Sequence, residues 1–401
     1  MIFYIKLLKK KGDGLMQEKR KKILFSAYSL DIGGIETALV SLINYLAKNY
    51  DITLVLERKQ GIFLEQISKN VEIVEYTPSY LKIKPVAKVL NLYKRVKFMR
   101  KYKNQFDFAC SYATYCQMGS FVARVASENN TLWVHNNYYH FFDRNDYKYK
   151  KFFNSINAHQ FKNVVFVSEE AKNQYLEKYG TVNESVITCN NLIDYEKILR
   201  LADETPYIEV EKKESKNASM EKEKVALEKD DSITTFINVA RHDEHQKRLT
   251  RLIECAKLLD EKNEKYRILL VGEGKDTESY KRLVNNLGLE KKVIFVGKTA
   301  NPYPYFRISD CVILTSDYEG YPVTYIEAKI LNKPIITTDV SDSQLDIKNK
   351  FGIVTEKNVK SIYKAMKKFI DNGYEIKEDF DPELFNRDII NKVKNIINER
   401  N

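Results

Sequence analysis

Short apolar runs rich in Val, Ile and Leu alternate with longer amphipathic stretches along almost the whole chain. In the first half the runs fall at Lys22–Tyr28, Ile52–Glu57, Val71–Tyr76, Phe106–Ala113, Thr131–His135, Val164–Ser168 and Val186–Asn190. In the second half they fall at Thr234–Ala240, Tyr266–Val271, Lys292–Gly297, Cys311–Ser316, Pro334–Thr338 and Gly352–Thr355. The stretches between them, such as Leu249–Asp260 and Thr277–Leu287, are long enough for crossover helices. Strands alternating with helices predict parallel sheets covered on both faces. Between the halves, Glu209–Asp231 carries eight acidic and six basic residues and no strand signal. It reads as a charged insertion, either a solvated helix or disordered. The expected organisation is α/β with two Rossmann-like doubly wound domains, 1–205 and 233–380. A linker, 206–232, joins them, and a C-terminal helix, 381–401, is free to return to the first domain.

Composition agrees with a soluble globular protein of two cores: 401 residues, 43% hydrophobic and 30% charged. No apolar run has membrane-spanning length. The opening Met1–Leu8 lacks the length and cleavage site of a signal peptide, and residues 1–15 read as a disordered or misassigned start. These features point to a cytoplasmic protein. The five cysteines are scattered without a C-x-x-C pair, as expected of buried reduced thiols. His242-Asp243-Glu244-His245 lacks the i, i+4 histidines of a zinc helix and reads as a polar loop. Net charge is +11, and residues 1–110 hold 21 Lys and Arg against 10 Asp and Glu, so the remainder balances. Within that half, residues 81–103 hold nine cations and no acid, with Val86, Val89, Leu90, Tyr93, Val96 and Met99 at helical spacing. The apolar face is expected to pack on the sheet. The cationic side also suits an anionic membrane surface. No nucleic-acid recognition motif is present.

The most informative run is Asp317-Tyr318-Glu319-Gly320-Tyr321-Pro322-Val323-Thr324-Tyr325-Ile326-Glu327. It places Glu319 on a strand-to-helix loop and Glu327 in the first turns of the helix. Loops at the carboxyl ends of strands border the ligand crevice of an open α/β sheet, and two carboxylates there suit the diols of a ribose and a hexose. Arg241 and Lys247 lie on another such loop, where they suit a diphosphate, although a plain solvated basic loop fits as well. Gly33-Gly34 follow the first strand and open a helix, which suits either a phosphate at the helix N-terminus or a simple tight turn. His135 closes the strand Thr131–His135 and is expected to project into the same crevice.

Together these segments resemble retaining family-4 glycosyltransferases of the GT-B fold, from about Lys22 to the C-terminal helix. Val167-Ser168-Glu169, Asn190-Asn191-Leu192-Ile193-Asp194, Val271-Gly272-Glu273-Gly274 and Lys333-Pro334 add to the match. The resemblance implies transfer of a hexose or N-acetylhexosamine from a nucleotide diphosphate sugar, a UDP-sugar by family habit. The implied acceptor is a lipid-linked glycan in capsule, exopolysaccharide or related envelope synthesis, met at the inner membrane face. It implies that Arg241 and Lys247 bind the diphosphate and Glu327 the ribose. Glu319 and the backbone of Gly320, Tyr321, Pro322 and Val323 would bind the donor sugar. His135 would sit at the reaction centre, and Gly33 and Gly34 would meet the phosphates on closure. It implies no metal and no cofactor beyond the donor. Departures are Asn332 in place of a usual glycine, and Ser341–Asp346 in place of a glycine-rich turn followed by Glu. A UDP-sugar epimerase of the same fold and a non-catalytic GT-B partner subunit are the alternatives.

Overall fold

The computed structural model describes residues 20–180, 182–211 and 222–398. The expected start at 1–15, and residues 212–221 of the charged insertion, lie outside the described residues. Seven strands form the first sheet: β1 (Lys22–Ala27), β2 (Asp51–Leu56), β3 (Glu72–Glu75), β4 (Phe108–Ser111), β5 (Asn130–Val134), β6 (Asn163–Phe166) and β7 (Ser185–Thr188). All pair in parallel, in the order β3-β2-β1-β4-β5-β6-β7. The central strands are buried on both faces, which is why they read as continuous apolar runs rather than alternating ones.

The hairpin β8 (Tyr207–Glu211) and β9 (Lys222–Ala226) follows. The second sheet contains β10 (Thr234–Val239), β11 (Tyr266–Val271), β12 (Val293–Gly297), β13 (Cys311–Leu314), β14 (Ile335–Thr338) and β15 (Gly352–Thr355). Its order is β12-β11-β10-β13-β14-β15, also parallel. Strand order reverses between β1 and β4 and again between β10 and β13. Each reversal opens a crevice at the carboxyl ends of the strands, where ligands bind in such sheets. Two doubly wound parallel sheets match the expected α/β organisation.

Two expectations are corrected. The insertion 209–231 carries no strand signal, yet strands at its two ends pair antiparallel, with Ile208 opposite Val225 and Glu209 opposite Lys224. Charge density hides the short alternation from a hydrophobicity reading, while opposite charges facing across the pair favour it. The hairpin is tied to the second domain by the Tyr305 hydroxyl, which donates to the Tyr207 carbonyl at 2.6 Å. The basic helix, Lys84–Tyr102, does not lay its apolar face on the sheet. Only Phe98 and Tyr102 are buried, Phe98 against Tyr76 and Phe121 and Tyr102 against Phe98 and Phe106, while Val89 is 68% and Tyr93 65% exposed.

The C-terminal helix, Pro382–Asn398, crosses back to the first domain. Ile389, Val393, Ile396 and Ile397 recur at helical spacing and enter the core of that domain. Asn386 closes a reciprocal pair with the Ile193 backbone, donating at 2.7 Å and accepting at 3.2 Å. Asn129 donates to the Ile396 carbonyl at 3.0 Å.

Candidate active site

The loop after β13 and the loop after β10 are stitched together at the second reversal point. The Asp317 amide donates to the Gln246 carbonyl at 2.8 Å, and the Thr315 hydroxyl donates to the Lys247 carbonyl at 2.9 Å. The expected polar loop at His242–His245 is in part a short helix, Glu244–Lys247, capped by Asp243, which accepts from the His245 amide at 3.1 Å. His242 is buried beside Thr277, with Nδ1 to Oγ1 at 2.9 Å, and burial pushes its pKa down to about 4. Its imidazole is therefore neutral and structural.

Glu319 is 6% exposed, and its carboxylate accepts from three donors. Lys247 Nζ and Ser316 Oγ each reach Oε1 at 2.6 Å, and Gln246 Nε2 reaches Oε2 at 3.2 Å. Lys247 and Glu319, read from the sequence as serving different parts of a ligand, are thus ion-paired with each other. A buried charge needs such compensation.

Glu327 is the opposite case. At 7% exposure, its one hydrogen bond among the described residues comes from the Tyr303 hydroxyl, at a long 3.3 Å. Burial pushes its pKa up to about 7. Acceptor capacity is left over, as a ribose diol would require. Arg241 extends into solvent near Gln246 Oε1 at 3.3 Å and Asp243 at 3.7 Å, so most of its five donors are open.

Gly320 packs against the first domain, and a methyl group there would collide with the carbonyl of His135. Tyr321 is buried, with its hydroxyl on Asp346, and Pro322 precedes the helix Val323–Ile330. Val323 meets Gly34 of the first domain. The domains therefore touch on both sides of the glutamate loop.

The His135 ring is buried beside Tyr112 and Trp133, at centroid distances of 4.4 and 6.1 Å, rather than open to the crevice. Among the described residues neither ring nitrogen has a hydrogen-bond partner, although the Tyr112 backbone and the Asn191 side chain are its polar neighbours. Burial pushes its pKa down to about 3. It is a neutral imidazole with unused hydrogen-bonding capacity.

The helix opened by Gly33 and Gly34 (Gly34–Leu46) carries Glu36 in its first turn. The Glu36 carboxylate folds back over Gly33, into the space a Cβ would fill. A cavity of about 240 Å³ lies beyond Glu319, lined by Asn137, His140, Arg144, Asp317 and Lys357 among others, while Arg241, Lys247 and Glu327 do not line it.

Sequence reasoning missed Tyr303, Gln246 and Glu36. Tyr303 and Gln246 act across folded loops and leave no spacing signal. Glu36 stood within the glycine run, two residues beyond Gly34. Among the described residues no cluster of His, Cys, Asp or Glu suits a metal, and all five cysteines are buried and free.

Residues 219–384, which contain Arg241, Lys247, Glu319 and Glu327, match the family model "Glycosyl transferases group 1". An uncharacterized glycosyltransferase of Methanocaldococcus jannaschii is 27% identical over 55% of this chain and 51% of its own length. The poly(ribitol-phosphate) alpha-N-acetylglucosaminyltransferase of Staphylococcus aureus is 26% identical over 38% of this chain and 33% of its own. The chain thus matches about half or less of these relatives' lengths. Anabaena Alr3699/HepE, solved with UDP and glucose, superposes with a TM-score of 0.68 at 17% identity, covering 94% of this chain and 100% of that one. Its likeness extends over both domains and establishes the GT-B fold; the group 1 match lies in the second.

Proposed function

We propose that the protein is a glycosyltransferase that moves a hexosyl or N-acetylhexosaminyl group, with retention, from a UDP-sugar to a lipid-linked glycan in cell-envelope polysaccharide synthesis. The carrying observation is the division between the two glutamates. Glu319 accepts from Lys247, Ser316 and Gln246, whereas Glu327 is buried with one weak donor. Glu327 is suited to accept both ribose hydroxyls. Arg241 takes the diphosphate, and Lys247 turns between Glu319 and the leaving phosphate, with no metal invoked. The backbone of Gly320 to Val323 faces the transferred sugar, and the His135 carbonyl packs behind it at Gly320. In the reaction the bond from the anomeric carbon to the diphosphate oxygen breaks, and that oxygen keeps the electron pair. The acceptor oxygen forms the new bond, and its proton leaves with the nucleoside diphosphate.

The lipid-linked acceptor is supported by the helix Lys84–Tyr102, whose apolar and cationic residues stand together at the surface. Such a surface suits peripheral attachment to the inner membrane face. The Staphylococcus relative, named for N-acetylglucosaminyl transfer to poly(ribitol-phosphate), supports a polymer acceptor. A thermal-shift panel of UDP-, GDP- and ADP-sugars tests the donor assignment. A UDP-sugar should raise the melting temperature, and Glu327→Ala should remove that shift together with transfer. Transfer that persists in Glu327→Ala would refute the assignment.

A further inference from the structure

The loop Gly320–Val323 is gripped by the turn Ser341–Asp346. The Ser341 hydroxyl donates to the Gly320 carbonyl, and the Tyr321 hydroxyl donates to Asp346. A glycine at 341 could supply no such hydroxyl, so this grip belongs to the departure from the family pattern. The Tyr321 ring is buried and stands edge-on to Tyr325, with centroids 5.9 Å apart. Tyr325 is fixed in turn, its hydroxyl 2.8 Å from that of Thr337.

Asp346 alone would be a loose anchor, since it ends a four-residue helix, Ser343–Asp346, and its side chain is partly exposed. Lys329 fixes it. The Lys329 ammonium donates to Asp346 Oδ1 at 2.6 Å, which leaves Oδ2 for Tyr321. The lysine side chain is only 3% exposed, and its ammonium lies over the Phe351 ring at 4.6 Å and the Phe380 ring at 5.5 Å. Burial pushes its pKa down, and the Asp346 carboxylate opposes that shift. Two ring faces and one carboxylate favour the charged form. Stability gives no reason for a lysine at this place, because an apolar side chain between two phenylalanines is often as stable as a buried ion pair. Neither Lys329 nor Asp346 lines the cavity beyond Glu319.

We propose that Lys329 is a positioning residue for the transferred sugar: through Asp346 it holds the Tyr321 hydroxyl, and so fixes the backbone of Gly320 to Val323. The inference rests on the glycosyltransferase reading. It separates the sugar from the nucleotide. Lys329 follows Glu327 by two residues on the helix Val323–Ile330, about 200° around the axis, so the two side chains leave opposite sides of it. Glu327 and Arg241, which take the ribose and the diphosphate in that reading, share no hydrogen bond with Lys329, Asp346 or Tyr321 among the described residues. Loosening the hold should therefore weaken the grip on the sugar and spare the nucleotide.

Calorimetric titration of the full chain tests this, with UDP alone and with the UDP-sugar that gives the largest thermal shift. Lys329→Met keeps an unbranched apolar stem between the two rings and removes the ammonium. It should weaken the UDP-sugar by about 10-fold, the factor of one modest hydrogen bond, while UDP binds as it does to the parent. Tyr321→Phe, which deletes one oxygen, should show the same loss. The double variant should also lose about 10-fold, rather than the roughly 100-fold of independent sites, because both changes break one chain of contacts. Equal weakening of UDP and UDP-sugar by Lys329→Met would assign the lysine to the fold alone and overturn the proposal. Additive losses in the double variant would overturn it too. Should Lys329→Met not fold, Tyr321→Phe decides: a loss confined to the UDP-sugar upholds the inference, and an unchanged affinity refutes it. If the parent binds the UDP-sugar and Lys329→Met binds it equally well, this inference alone falls. If no UDP-sugar binds the parent, the glycosyltransferase reading fails, and this inference with it.

Discussion

Glu327 holds a carboxyl group out of water with one weak donor, and that has a sign in stability. Its pKa is about 7 in the fold against 4.5 for a free glutamate. Between those pH values the folded chain keeps a proton that the unfolded chain has released, so stability falls as pH rises through this window. The penalty above pH 7 is about 3 kcal/mol. Glu327→Gln should therefore raise the melting temperature at pH 8, have little effect at pH 4.5, and lose the thermal response to UDP. Denaturation at the two pH values checks the sign. Glu319, by contrast, has its compensating donors in place. Lys247→Ala would leave a buried charge short of its cation and should cost about 3 kcal/mol. Urea denaturation measures that loss, and it makes Lys247→Ala a poor pure test of catalysis. The E-x7-E spacing made both carboxylates visible in the sequence. Their inequality was not visible, because it depends on Ser316, Gln246 and Tyr303, which reach them only through folded loops.

At the scale of elements, each apolar run read as a strand became one, because strands buried on both faces must be apolar throughout. The hairpin β8–β9 escaped because its register rests on cross-strand charge and two or three apolar positions. The helix Lys84–Tyr102 is legible in the sequence as an element, but its packing is not. Periodicity reports that a helix has an apolar face without saying what covers it. The exposed Val89 and Tyr93 beside Lys88, Lys94 and Lys97 give a measurable expectation. The protein should co-sediment with vesicles containing phosphatidylglycerol and less with pure phosphatidylcholine, and added salt should weaken it. Val89→Asp with Tyr93→Asp should abolish sedimentation without lowering the melting temperature, since neither side chain enters the core. A drop in melting temperature would mean that the face is covered by the protein itself.

The molecule as a whole is held closed by contacts that the departures from the family pattern build. Asn332, where a glycine is usual, has a φ of 51°, a left-handed turn that asparagine tolerates better than most residues. Ser341 shares that φ, and its hydroxyl bonds the Gly320 carbonyl. This turn aims Asp342 across the cleft at the N-terminus of the helix Glu169–Lys178. There it accepts from the Glu169 amide at 2.9 Å and the Glu170 amide at 3.3 Å. The carboxylate thus caps a helix of the opposite domain, where the helix dipole favours negative charge. Phe141 adds ring contacts to His245 and Tyr318 at 6.1 and 6.2 Å. The capping bonds exist only when the cleft is shut, so removing them should shift the population toward an open form and cost little folding stability. Asp342→Ala should enlarge the radius of gyration seen by small-angle scattering of the free protein. Saturating UDP-sugar, which binds both domains in the proposed reaction, should restore the closed value. The same variant should bind the UDP-sugar more weakly by roughly 10-fold, since part of the binding energy now closes the cleft. An unchanged scattering curve would show that the C-terminal helix and the His135–Gly320 packing suffice to hold the domains together.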